Sequence, residues 1–207
     1  NDVVGVTVTP ISNNTTEGGG TATFTVVLSS EPVSSVTIGI SSNDTTEGTV
    51  SVSSLTFTSV NWNTKKYVTV TGVNDNAADG NITFNILTAA AVSGDGNYSG
   101  MDAANVSVTN NDNDVVGVTV TPTSGLLTSE TSGTATFTVV LNSEPASNVT
   151  IGISSADLTE GTVSPSSLIF TVGNWSAAQT VTVTGVNDNV QDGNIAYTIV
   201  TAAAVST

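Results

Sequence analysis

The chain has no cysteine and no histidine, and its only bases are Lys65 and Lys66, so it has no arginine either. Without cysteine there is no disulfide framework and no thiolate metal site. Without histidine the commonest general acid–base group and nitrogen metal ligand is missing. Two lysines set against 17 acidic residues leave a net charge of −15. That balance argues against nucleic acid and anionic membrane surfaces, since both need Lys or Arg to neutralise phosphate. No apolar run reaches 18 residues, so no membrane insertion by a helix is expected. The first residues lack a basic segment followed by an apolar one, so any export signal is expected outside this stretch. Charged residues are only 9% of the chain. It is nevertheless unlike a disordered sequence, because Val, Ile, Leu and Phe recur in short alternating runs.

The chain repeats itself. Val68-Thr69-Val70-Thr71-Gly72-Val73-Asn74-Asp75-Asn76 returns unchanged as Val181–Asn189, 113 positions later. The same offset carries Thr21–Leu28 onto Thr134–Leu141 and Val36–Ser42 onto Val149–Ser155. Asn1–Pro10 recurs as Asn113–Pro122, one position short of that offset. Self-similarity at a fixed period marks a tandem array. Residues 1–112 are expected to form a first β-sandwich repeat and 113–207 a second, incomplete at its C-terminus. The second copy stops at the counterpart of Gly94, so it lacks a counterpart of Asp95–Asn113. Either the stretch was cut from a longer array, or another chain supplies the missing strand.

Short alternations of Val, Ile or Phe with Thr or Ser, bounded by Gly, Asn, Asp and Pro, read as strands. In the first copy they predict strands at Val3–Thr9, Thr21–Leu28, Val36–Ser41, within Val50–Thr58, Lys66–Val73, Asn81–Ala89 and Asn105–Asn110. No segment has a helical period. Seven short strands of this kind predict an all-β fold: two tandem immunoglobulin-like antiparallel sandwiches, the second lacking its last strand. Alternation turns Ala22, Phe24, Val26 and Leu28 inward and the intervening threonines to water. Trp62, Phe57 and Phe84, with Trp175, Phe170 and Tyr197, are expected to be core aromatics.

The carboxylates carry the chemical signal. In an up-and-down series of strands, alternate connections share one pole, and the end of the last strand joins them. That pole collects Glu17, Asp44, Glu47, Asp75, Asp79, Asp112 and Asp114 in the first copy. The second copy repeats the set with Glu130, Asp157, Glu160, Asp188 and Asp192. Converging carboxylates repel each other once water is partly excluded. They either spread into solvent or bind a cation, and an all-oxygen donor set suits Ca²⁺ far better than zinc. The alternative is that Asp and Asn simply fill turns. Glu17 and Glu130 favour the cation, because Glu is a poor turn former.

The run Val68–Asn76, followed by Asp79 to Leu87, resembles the late-strand signature of the Calx-beta domain. Glu17 before Gly18-Gly19-Gly20 is similar to that family's early Glu-x-x-Gly element, and Asn111-Asp112-Asn113-Asp114 to its closing acidic triplet. The resemblance implies a seven-stranded sandwich, often in tandem, binding calcium at one pole and at the domain junction. On the matching positions it implies ligands at Glu17, Asp44, Asp75 and Asp112 or Asp114, with Asp79 and Glu47 as further members of the set. Asn stands in several places where the family has Asp. The lower charge points to weak calcium affinity, in the range ~0.1–1 mM of extracellular modules.

These readings predict a non-enzymatic structural repeat of a long secreted or cell-surface protein, adhesin-like and bacterial. It would act as a spacer stiffened by calcium at the repeat junctions. Its partners would be neighbouring repeats of the same chain, or other copies of itself joined by edge-strand pairing into a filament or surface layer. A glycan-binding module is a third reading, with Trp62, Trp175 and Tyr98 as stacking platforms. Without His, Cys or Arg, catalysis is confined to carboxylate chemistry such as a glycosidase pair. Lys65 and Lys66 align with Ala178 and Gln179, so no lysine mechanism is common to both copies.

Overall fold

The computed structural model describes residues 3–188, 190–191 and 193–206. They form two compact units, Asn1–Asp75 with Asp79–Asn113, and Asn76–Ala78 with Asp114–Thr207. The fold is all-β and antiparallel in nearly every pairing. Among the described residues there is no helix, hence none long and apolar enough to cross a membrane.

The first unit runs through β1 (Val6–Val8), β2 (Thr15–Thr16), β3 (Thr21–Leu28), β4 (Val36–Ser42), β5 (Gly48–Val50), β6 (Ser54–Phe57), β7 (Lys66–Gly72), β8 (Ile82–Thr88), β9 (Val92–Ser93) and β10 (Val106–Asn111). One sheet has the order β1-β3-β7-β5, the other β2-β10-β8-β4-β6, with β9 also on β4. The core fills the space between them, built on Phe24, Val26, Ile38, Phe57, Val68, Val70, Phe84 and Ile86.

The second unit runs through β11 (Val118–Thr121), β12 (Thr134–Leu141), β13 (Val149–Ser155), β14 (Gly161–Ser164), β15 (Ser167–Phe170), β16 (Gln179–Gly185), β17 (Ile199–Thr201) and β18 (Val205–Ser206). Its sheets are β11-β12-β16-β14 and β15-β13-β17, with β18 also on β13. Phe137 stands opposite Val181 as Phe24 stands opposite Val68, so the repeat preserves register as well as residues.

Two expected strands break in the structure. The segment expected as one strand within Val50–Thr58 is two, β5 on β7 and β6 on β4, so the chain crosses between sheets. Ser51 makes the crossing: its N–H donates to the Thr69 carbonyl and its hydroxyl accepts from Thr69 N–H. The expected first strand survives only as β1. Pro10 lacks an N–H and ends the ladder, and the chain rejoins the opposite sheet as β2, parallel to β10. Thr25 was expected at the surface, but the Thr9 hydroxyl and backbone cover it and leave it 8% exposed.

The two copies differ where Gly19 (φ 81°) is replaced by Ser132 (φ 65°). A side chain in this left-handed conformation crowds the following carbonyl, at ~1–2 kcal/mol. Ser132→Gly should therefore stabilise the second unit by about 0.5–1 kcal/mol, allowing for the extra chain entropy glycine loses. Denaturant midpoints of the two transitions check this. The first unit's midpoint should not move.

Candidate metal centre

Three chain segments meet at one pole of the first unit: the residue before β5, the turn after β7 and the turn before β8. They bring one oxygen each of Glu47, Asp75 and Asp79 to within 4.8 Å of one another. Glu47 is 6% exposed, Asp75 is half-buried and Asp79 faces solvent. The set is a hard, all-oxygen one graded from the interior to water.

Glu47 stays inside because its polar atoms are tied. Its carbonyl accepts from Val73 N–H at 3.0 Å. Its carboxylate accepts from Asn110 Nδ2 at 3.3 Å, and the same nitrogen donates to the Val73 carbonyl at 3.0 Å. Asn110, 1% exposed, is oriented in turn by the Thr15 hydroxyl, which donates to its Oδ1 at 3.0 Å. Gly72 leaves room for this network. A Cβ there would stand 2.3 Å from the Thr16 carbonyl oxygen and 2.4 Å from Asn110 Oδ1.

Burial pushes the Glu47 carboxyl above its ordinary value; the Asn110 hydrogen bond opposes the rise, and the charges of Asp79, Asp44 and Asp75 add to it. Asp44 is held low by the Thr46 hydroxyl, with help from the Thr46 and Glu47 amides. Asp95, buried elsewhere in this unit, is held low by the amides of Val33 and Asn97. The two kinds of shift act oppositely on stability. In metal-free buffer the folded state takes up a proton at Glu47, so stability rises as pH falls toward 4.5. The Asp44 and Asp95 contributions are present above 3.8 and are lost below it. Urea midpoints between neutrality and acid should therefore pass through a maximum on the acid side. A midpoint that only falls from pH 7 downward contradicts this.

The other first-copy acids have structural ties at the same pole. Glu17, 4% exposed, accepts from Asn113 N–H at 3.2 Å, and its own N–H donates to the Asn111 carbonyl. Asp112 accepts from Gly80 N–H at 2.7 Å, beside Asp79. Asp44 closes a turn onto Thr46. Asp114 begins the second unit and is half-buried.

In the second unit Asp157 repeats the Asp44 turn, with Thr159 N–H as donor. The Glu160 carbonyl accepts from Val186 N–H as Glu47 does from Val73. Asp188 accepts from Val190 N–H at 2.8 Å, and Glu130 is exposed where its counterpart Glu17 is buried. Asp192, the counterpart of Asp79, lies outside the described residues.

Asn110 and Thr15 were not singled out from the sequence. The available signal is that Val106, Val108 and Asn110 share one parity along a strand, so a polar amide points inward. Tyr98, read as a stacking platform, is instead 1% exposed; its hydroxyl donates to the Ser30 carbonyl at 2.7 Å and accepts from Ser30 N–H at 3.1 Å. Trp62 and Trp175 are half-buried and pack against the two cores.

No family model and no curated protein matches this chain. Among solved structures it is similar to the calcium binding domain CBD12 of CALX1.1, at 13% identity over 94% of this chain and 78% of that one, with a TM-score of 0.43. CBD12 from CALX1.2 is similar over the same shares at 13% identity, with a TM-score of 0.42. Domains 4 and 5 of the S-layer protein SbsC are similar at 18% identity over 98% of this chain and 95% of that one, with a TM-score of 0.34.

Proposed function

We propose that the chain is a structural β-sandwich repeat of a secreted or surface protein, and that its acidic pole takes a divalent hard cation, calcium being the best fit. The observation that carries this is the Glu47, Asp75 and Asp79 triad, with one carboxylate held in the interior. A buried carboxylate whose neighbours are carboxylates is costly as an anion and gains most from an ion of opposite charge. Oxygen donors without nitrogen or sulfur select Ca²⁺ or Mg²⁺, and an open, uneven donor set favours the more flexible coordination of Ca²⁺.

The structural role follows from where the triad sits in the chain. Asp112, next to the linker between repeats, is hydrogen-bonded to Gly80 beside Asp79. Neutralising the pole would tighten the segment by which the chain leaves the first unit and make a stiffer spacer. By repeat, Glu160, Asp188 and Asp192 would serve the second copy. Calorimetry and small-angle scattering in calcium and in chelator test the reading. Calcium should raise the melting temperature and narrow the distribution of end-to-end distances. Identical traces in the two buffers would reject it.

A further inference from the structure

The outer face of the sheet β11-β12-β16-β14 is a net of hydroxyls. The inward residues of its strands, Phe137, Val139, Val181 and Val183 among them, are buried in the core, so the alternate positions turn to water. Thr134 stands opposite Thr184, and Thr184 opposite Thr162. Thr136 stands opposite Thr182, and Thr182 opposite Ser164. Thr138 lies between Thr180 and Thr121. The result is three rows of three hydroxyl side chains, with no charge among them in a chain of net charge −15. Thr138, Thr182 and Thr184 are half-buried by their neighbours, and the other six are exposed. The sheet sets the spacing, about 4.7–4.9 Å between strands and roughly 6.4–6.8 Å between alternate residues of one strand.

On the other sheet of the first unit, opposed threonines satisfy each other. Thr37 and Thr56 share a hydrogen bond of 3.1 Å, and Thr83 and Thr109 one of 2.9 Å. In the net, among the described residues, only the Thr138 hydroxyl bonds another protein group, the Thr121 carbonyl at 3.2 Å. The remaining hydroxyls are left to whatever lies above the sheet. The first unit holds a smaller version of the net. Thr49, Thr71 and Thr21 form one row, and Thr69 and Thr23 belong to a second. The third is broken: Tyr67, 67% exposed, stands opposite Thr25, whose hydroxyl is taken by Thr9 at 3.0 Å.

We propose that the hydroxyl net of the second unit binds the surface of ice. The prism face of an ice crystal is a rectangular mesh of water oxygens, with one short and one longer repeat close to those of a β-sheet. The branched side chain of Thr has few rotamers. Each hydroxyl and methyl is therefore held at its node before contact, and little entropy is lost on binding. Charged groups would keep hydration shells of their own, and the net has none. It has no aromatic ring either, which argues against a crystalline polysaccharide, whose sugar faces pack on such rings. Sheet twist, about 20–25° per strand, limits the match to a few nodes. The expected activity is therefore a slowing of ice recrystallisation and not a large freezing-point depression. This goes beyond the cation reading and is independent of it, since the net holds no carboxylate.

The whole chain is assayed for inhibition of ice recrystallisation and for partition into slowly grown ice. Both are expected, in calcium and in chelator alike. T180Y puts into the net the residue that the first unit carries at the same place, Tyr67, so the fold accepts it. T136K puts a charge in the middle row. Each should raise the concentration needed to inhibit recrystallisation at least tenfold, with an unchanged melting temperature. S167K, at an exposed position of the other sheet, should leave that concentration as it is in the parent. Exclusion of the parent from ice, equal inhibition by parent, T180Y and T136K, or an equal loss in S167K would overturn the proposal. Retention on powdered cellulose or chitin but not in ice would also overturn it and assign the net to a polysaccharide.

Discussion

Glu47→Gln should abolish calcium-dependent stabilisation of the first unit while raising that unit's stability in chelator. The two effects have one cause. In the metal-free state Glu47 is buried beside like charges, and its carboxyl is pushed up by that burial and by Asp79, Asp44 and Asp75. Gln keeps an oxygen to accept from Asn110 Nδ2 and removes the charge. In the proposed calcium-bound state the same charge would be a ligand, and its loss would remove the innermost of three donors. For a weak site of ~0.1–1 mM, about 10 mM calcium adds roughly 1.4–2.7 kcal/mol to the parent. That corresponds to about 5–15 °C in melting temperature for a domain of this size. Scanning calorimetry of parent and variant, each with calcium and with chelator, reads all four states. A variant that keeps the calcium shift would remove Glu47 from the site. One less stable than the parent in chelator would contradict the electrostatic account.

Asn110→Ala should cost the first unit about 3–5 kcal/mol, because several buried groups lose their partner together. Thr15, 0% exposed, is left with only its longer bond to the Thr109 carbonyl, the Val73 carbonyl loses a donor, and the Glu47 carboxylate loses its amide. The side-chain volume lost is small, so cavity formation is a minor part of the cost. Adding Glu47→Gln should recover part of the loss, since the most expensive orphan is the charge. Unfolding of the first unit in urea measures both, and the second unit's transition is the internal control. A single-variant loss under about 1 kcal/mol would mean that the network is replaced by water at little cost.

Much of the fold was legible because period and alternation are local signals. Thr21–Leu28 and Thr134–Leu141 read as strands, and they are β3 and β12 to the residue. Their inward set Ala22, Phe24, Val26 and Leu28 is buried. The two broken strands were hidden because alternation gives the face of a strand and not the sheet it joins. Val50 and Leu55 have the same local pattern but pair in different sheets. Loop parity grouped Glu47, Asp75 and Asp79 with four other acids, but it gives a pole and no distances. Within the first unit the structure brings oxygens of three of the seven, Glu47, Asp75 and Asp79, to within 4.8 Å of one another.

What the sequence determined alone is the repeat, the all-β class and the oxygen-only chemistry available to any site, because these depend on residue identity and spacing along the chain. Which carboxylate is buried was decided in three dimensions. Glu47 and Asp44 sit three residues apart in one loop, yet the amide of Asn110 from β10 and the N–H of Val73 hold the first inside, while Thr46 holds the second in a half-buried turn. Desolvation depends on what packs from distant segments, and here the decisive neighbour lies 63 positions away. Tyr197 and Ile199 of the second unit follow the same logic: they are the repeat counterparts of the buried Phe84 and Ile86, and they are only half-buried because no strand among the described residues covers them as β10 covers β8.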